Sequence, residues 1–310
     1  MRDTFDIWEI PRPKEKYMLA GWHQWADAGS ISSGLPQYLI DKLSARRIGE
    51  LDSDDYYLFQ IPGTHHFLRP QIKLEEGYRQ AMSTRNNEFF YAGNDEKGLV
   101  IFLGEEPHMR VERYAEAFFD AVQTLGVKRV VAVSGVYGAV PYDKDREVSC
   151  VYSLKEMQDE LARYAVRFSD YEGGTTICAY LADQAEQRGI EFVVFYGFVP
   201  AYDFSQISET VHGFSIENDF KAWYDLLKRV NHMFNLTLDL TELKIESERL
   251  FNSIETEIDR LEGETPDLHI REYIESLSED FTEKRFIPLG DMWTRGLRDL
   301  FDGNGGGQQV

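Results

Sequence analysis

The chain has 310 residues, 43% of them hydrophobic, enough to bury a large core without disulfide or metal staples. Its 33 Lys and Arg against 54 Asp and Glu leave a formal charge of -21, which repels polyanions and excludes nucleic acid and anionic membrane surfaces as expected partners. Cys150 and Cys178 stand in no ligand spacing and are expected to be buried and reduced; without a signal-like apolar region or an eighteen-residue apolar run, the chain is expected in the cytoplasm.

Short β-rich runs alternate with segments of helical period. Strands are predicted at 17–22, 56–61, 88–92, 99–103, 128–134 and 191–197. Runs such as Val130-Val131-Ala132-Val133 and Phe192-Val193-Val194-Phe195 are apolar throughout, as strands covered on both faces are. The turn after the first strand leads into a helix. Between later strands, a helix over 111–125 places Tyr114, Ala117, Phe118, Ala121, Val122 and Leu125 on one face and stops at Gly126, and another over 175–188 stops at Gly189. The alternation predicts an α/β fold, a three-layer α/β/α sandwich with a largely parallel sheet.

The character changes after residue 235. Asp239 and Glu242 read as an N-terminal capping pair, and Leu243, Leu250, Ile254, Ile258 and Leu261 follow at near-heptad spacing, predicting a helix over 240–261. Thr265 and Pro266 open a second helix through 277. The expected organisation is an α/β body over 1–235 and a helical hairpin extension over 236–301, packed on the body or on a neighbouring subunit. A glycine-rich disordered tail is expected over 302–310.

In α/β sheets a ligand sits beyond the carboxyl ends of the strands, so the turns there are the candidate site. The first turn carries Trp22, Asp27, Gly29 and Ser30, without GxGxxG or phosphate-loop spacing. Asp27 and Ser30 suit either helix capping or a bound polar group. Gly104 and Glu105 follow the fourth strand, and Glu106 next to Glu105 points the other way on an extended segment, which does not make an acid/base pair. Gly135 and Tyr137 follow the strand over 128–134, where glycine allows close approach and tyrosine offers a stacking face, or both serve a tight turn; no glycine two before Ser134 makes a nucleophile elbow. Gly173 and Gly174 precede the later helix, for an anion or for the turn alone. His65 and His66 read as an exposed or interface loop, and the remaining histidines show no ligand spacing, so neither catalytic residues nor a metal nor a cofactor is expected.

The chain resembles the proteasome assembly chaperone 2 family, in its prokaryotic branch. The resemblance runs through Gly21-Trp22 with Asp27-Ala28-Gly29, Ile48-Gly49-Glu50-Leu51-Asp52 and the stretch from Leu99 to Pro107. It continues through Leu125-Gly126-Val127-Lys128-Arg129-Val130-Val131, Gly135, Gly173-Gly174 and the segment from Asp219 to Leu243, spanning about residues 15 to 262. It implies a phosphorylase/hydrolase-like α/β/α body and a homo-oligomer, a trimer being favoured, and its eukaryotic members help build the proteasome α-ring without catalysis. A related docking motif ends in a hydrophobic residue, a tyrosine and any residue, whereas this chain ends Gln308-Gln309-Val310, so docking on a proteasome through that tail is not expected. The expected function is therefore a non-catalytic binding or assembly-chaperone-like protein. The alternative is a small-molecule enzyme, of hydrolase or nucleoside-processing type, using a pocket at the strand ends.

Overall fold

A computed structural model describes residues 4–53, 55–59, 69–82, 85–204, 213–279 and 281–287. The strands are β1 (Phe5–Ile7), β2 (Glu15–His23), β3 (Arg46–Leu51), β4 (Ile72–Glu75), β5 (Tyr78–Met82), β6 (Glu88–Gly93), β7 (Lys97–Glu105), β8 (Arg129–Gly138), β9 (Val148–Tyr152), β10 (Arg167–Phe168), β11 (Glu191–Tyr202) and β12 (Phe214–Ser215). The helices are α1 (Gly34–Lys42), α2 (Val111–Leu125), α3 (Gln158–Leu161), α4 (Ile177–Glu186), α5 (Phe220–Met233), α6 (Thr241–Glu264) and α7 (Ile270–Glu279).

Side chains of the central strands alternate between two apolar layers, as the period of two in a pleated strand requires. Leu19, Val131, Val133, Val193 and Phe195 pack with Leu35 and Leu39 of α1 and Leu226 and Val230 of α5. Their neighbours Met18, Ala20, Val130, Ala132, Phe192 and Val194 pack on the other face with Tyr114, Phe118 and Val122 of α2 and Leu181 and Ala185 of α4. This is the α/β/α layering that the apolar strand runs imply. Leu243, Ile254, Ile258 and Leu261 of α6, and Ile270 and Ile274 of α7, belong to the first of these clusters, so the C-terminal helices share the core beneath α1 and α5.

The sheet is mixed. Its ten strands follow the order β1-β3-β6-β7-β2-β8-β11-β9-β10, with β12 beside β11. Strands β7, β2, β8 and β11 form a central parallel block, with β6 and β9 running antiparallel on its two sides and β10 parallel to β9 at one edge. The expectation of a largely parallel sheet is corrected here, and one physical reason is connection length. A hairpin joins β6 to β7, where Asn94 Oδ1 accepts from the backbone N–H groups of Glu96 and Lys97 at 2.9 and 3.0 Å, and so tight a link permits only antiparallel neighbours.

The strand predicted at 56–61 is also corrected. Tyr56 lies in a turn whose carbonyl accepts from His108 and Met109 at 2.9 and 3.2 Å, so its backbone is occupied by the loop after β7 instead of by a ladder; residues 60 and 61 lie outside the described residues. Helix α2 matches its predicted bounds, and Gly126 ends it with φ 66°, a left-handed value glycine adopts freely. Helix α6 is entered through Leu240 without a side-chain cap: Asp239 Oδ1 accepts from Thr241 N at 2.9 Å as a local turn, and Glu242 turns to α1, bonding Lys42 Nζ at 3.0 Å and Tyr38 Oη at 3.1 Å, so the expected capping pair is not formed. Pro266 opens a single 3-10 turn over Pro266–Leu268, and α7 starts only at Ile270, after His269 at φ 50°. The stretch 288–301, the tail over 302–310 and the His65-His66 pair lie outside the described residues. Both cysteines are buried free thiols, and burial pushes the pKa of each up to about 12.

Candidate functional site

The parallel strands deliver their carboxyl ends to one rim, and the loop after β2 folds back over it. Two glycines make this possible. A Cβ on Gly21 would lie 1.9 Å from the carbonyl oxygen of Ser32, and one on Gly135 would lie 2.0 Å from that of Ala28. The loop is fastened by a parallel bridge between Asp27 and Gly135 and by the Gly135 N–H donating to the Ala26 carbonyl at 2.9 Å. The space that these glycines leave is thus filled by backbone of the same chain.

Asp27 is spent inside this loop. Its Oδ1 accepts from the N–H groups of Ser32 and Ser33 at 2.7 and 3.0 Å, and its Oδ2 from the Ser33 hydroxyl at 2.6 Å, which satisfies donors at the entrance to α1. Burial raises its carboxyl pKa from the ordinary 3.8, against the lowering pull of those bonds. Ser30 does not cap α1: held at φ 49°, its hydroxyl donates to the Glu217 carbonyl at 2.9 Å, on the approach to α5. Gly29, at φ 61°, faces the same way, its carbonyl accepting from Asp219 N at 3.0 Å and Trp223 Nε1 at 2.9 Å.

Trp22 is fully buried and belongs to the core. Its indole N–H donates to the Tyr114 hydroxyl at 2.9 Å, which donates to Asn87 Oδ1 at 2.9 Å. Asn87 also receives the Glu105 N–H at 3.0 Å, and a Cβ on Gly104 would press to 2.6 Å from its Oδ1. Tyr57 completes the knot by donating to the Glu105 carbonyl at 2.9 Å. Sequence reasoning passed over Asn87, a buried polar hub whose lone pairs are all engaged by groups distant in the chain.

Beside this loop lies an open cleft of about 420 Å³, lined by His23, Gln24, Trp25, Asp27, Arg85, Glu105, Glu106, Pro107 and His108. Glu105 is paired with Arg85 at 2.5 Å, and Glu106 accepts the Trp25 N–H at 3.1 Å. His108 accepts the Leu58 N–H on Nδ1 at 3.1 Å, and burial, with the Arg85 charge, holds its pKa below the usual imidazole value. The Trp25 ring is 73% exposed at the mouth, far more than a tryptophan needs for packing. Beneath the cleft Gln24 Nε2 donates to Ser32 Oγ at 2.6 Å and to Ser134 Oγ at 2.9 Å, and Ser134 Oγ donates to the Cys178 sulfur at 3.4 Å. Ser134 therefore has an amide and a neutral thiol as partners, neither of which takes a proton from it.

The remaining expected residues lie apart from the cleft lining. Tyr137 is half exposed and donates to the Ile216 carbonyl at 3.3 Å, and Gly173 and Gly174 lie in the exposed turn before α4. That helix is capped by Thr176, whose Oγ1 accepts from Ala179 N at 3.1 Å. A buried ionic cluster, unmarked in the sequence, ties α5 to the loop before β9. Arg146 Nε donates to Asp219 Oδ2 at 2.7 Å with both side chains almost wholly buried, Arg146 N donates to Asp225 Oδ2 at 2.9 Å, and Lys221 reaches Asp145 and Asp225 at 2.5 and 2.6 Å. Among the described residues no group of three or more His, Cys, Asp or Glu side chains is arranged to hold a metal ion, and no helix is long and apolar enough to cross a membrane.

Fold and rim together define an α/β/α protein whose strand ends are sealed by its own loop. The chain belongs to the PAC2 family, whose model matches residues 22–260. No curated protein matches it. Among solved structures it is similar to a PAC2 family protein of Streptomyces avermitilis, with TM-score 0.67 and 24% identity over 84% of this chain and 99% of that one. It is also similar to a proteasome-assembly chaperone homologue of Mycobacterium tuberculosis, with TM-score 0.66 and 22% identity over 78% of this chain and 95% of that one. A third is PbaB of Pyrococcus furiosus, an archaeal proteasome activator, with TM-score 0.58 and 17% identity over 83% of this chain and 99% of that one.

Proposed function

We propose that the protein is a non-catalytic, assembly-chaperone-like binding protein of the cytoplasm, working as a homo-oligomer, in first place a trimer, on a protein partner. The observation that carries this reading is the use of the polar groups at the strand ends. Asp27 serves three donors of its own loop, Ser134 faces an amide and a thiol, and Glu105 is neutralised by Arg85. What faces solvent at the rim is the Trp25 ring together with His23, with the Glu106 carboxylate accepting the Trp25 N–H. An exposed tryptophan with a polar border is the kind of anchor that protein interfaces use. The family and the similar proteins named as proteasome-assembly chaperone homologue and proteasome activator support the same reading.

The experiment replaces Trp25 with a photo-crosslinking phenylalanine derivative and, in parallel, with Ala. The expected result is a discrete crosslinked protein adduct from Trp25 that is absent when the crosslinker is placed at Tyr171, and loss of that partner's co-purification in the Trp25→Ala protein at unchanged melting temperature. Turnover of a small molecule by the purified wild-type chain, abolished by Glu105→Gln without loss of fold, would overturn the proposal in favour of an enzyme.

A further inference from the structure

The β4–β5 hairpin stands outside the main sheet as a two-stranded sheet of its own, and all nine of its strand residues are exposed. Two-residue reversal through Glu76 and Gly77, both at positive φ (48° and 82°), gives the tight turn whose twist matches the strands. The hairpin holds Ile72, Leu74, Tyr78 and Met82 in water, at 55, 56, 75 and 48% exposure. A lone hairpin is marginal in water, and its outer edges offer unpaired backbone N–H and C=O groups. Such an arm is built to be covered.

We propose that β4 pairs antiparallel with β4 of a second copy of this chain, about a two-fold axis through Leu74. Charge favours a second copy. In a chain at -21, the hairpin carries Lys73 and Arg79 against Glu75 and Glu76, so two copies meet there without net repulsion. Among the described residues none of these four side chains takes part in an ion pair within the chain. Setting Leu74 opposite Leu74 then places Lys73 of each copy opposite Glu75 of the other, on one face of the new ribbon, where opposite charges attract directly. The same operation on β5, about Gln80, sets Arg79 against Ala81 and pairs no charges, which selects β4. The contact is isologous: the same patch serves both copies.

Two four-residue strands bury much less than the roughly 1,200 Å² of a standard stable interface, so the pairing is concentration-dependent. The contact is a two-fold step separate from the three-fold self-association of the function proposed above, on which it rests: it joins two such assemblies, and it is independent of the protein partner. Sedimentation equilibrium on the full chain from micromolar to several hundred micromolar tests it with Lys73→Glu, Glu75→Lys, the double variant, and an equimolar mixture of the two single variants. Each single variant places like charges opposite each other and is expected to lose the highest association step, halving the mass reached by wild type. The double variant restores the complementary pairs and is expected to match wild type, and the mixture is expected to pair more strongly than either component. Single variants that keep the wild-type mass, a double variant as impaired as the singles, or a wild type with no concentration-dependent doubling would each overturn the proposal, the last handing the arm to a different protein. Retained recovery of the Trp25-dependent partner by these variants separates failure here from failure of the partner reading.

Discussion

The loop over residues 24–33 and the hairpin over 72–82 are two excursions from one sheet, built in opposite ways. In the first, glycines admit backbone against backbone, and the Asp27 carboxylate is engaged by donors of the loop itself. In the second, no strand residue is covered, and four charges lack ion-pair partners within the described chain. The first is rigid closure where an α/β enzyme would keep reactive groups free; the second spends apolar side chains on contact with water. One excursion is closed on its own backbone and the other is open to water, the contrast on which the proposed surface-binding role rests.

The largest effect is expected from forcing a side chain into the closed loop. Gly135→Val directs a branched side chain at the Ala28 carbonyl, where even the first carbon would sit at 2.0 Å, and is expected to cost more than about 4 kcal/mol, so that little folded protein accumulates. Gly174→Ala, where an added Cβ meets nothing within 4 Å, is the matching control, expected within about 0.5 kcal/mol of wild type in urea unfolding. Next in size is the buried ion pair that holds Gly29's partner helix. Asp219→Ala leaves Arg146 charged and unpaired in the core and is expected to cost about 3–5 kcal/mol. The same substitution removes the Asp219 side-chain bond to Ala222 N that caps α5, so Asp219→Asn, which can keep that bond, is expected to lose less.

How far these features could be read in advance follows from their range. The helix over 111–125 and the doubly covered strands are local: period and composition carry them, and Gly126 marks its own stop. The sealed rim is not local. Gly21 and Gly135 read equally as room for a ligand or room for backbone, and only the return of residues 26–32 across the strand ends decides between them. Asn87 and the Arg146–Asp219 pair were invisible for the same reason, since their partners lie 27 and 73 residues away. The antiparallel flanks escaped because an apolar strand carries no mark of its neighbour's direction; the Asn94 turn was the available signal. Helix α5 was missed although its first turn is capped by Asp219 and it buries Leu226, Leu227 and Val230.

Asp27 tests the closure more gently. Asp27→Ala leaves the Ser32 and Ser33 N–H groups without their acceptor and is expected to cost about 1–3 kcal/mol. Asp27→Asn retains an acceptor oxygen and isolates the charge. Because burial raises the folded carboxyl above 3.8, the folded state holds the proton more tightly than the unfolded one. The stability this group contributes is full below 3.8 and is lost as pH rises through the raised value. The asparagine chain has no such loss. Its stability relative to wild type, from urea unfolding between pH 3.5 and 7, is expected to climb with pH and then level off; a falling difference would mean that the three hydrogen bonds outweigh burial.

The smallest effect is expected at the hairpin. Tyr78→Ser removes the most exposed ring of the hairpin, yet in the isolated chain that ring covers nothing, so global stability at low micromolar concentration is expected to stay within about 0.5 kcal/mol of wild type. The β4 and β5 amides, with one ladder between two short strands and water on every side chain, are expected to exchange by local opening, orders of magnitude faster than the amides of β2 and β8 in the parallel block. Exchange of β4 as slow as that of β8 at low concentration would mean that the arm is supported by its own chain, and the contrast between a sealed loop and an uncovered one would then collapse.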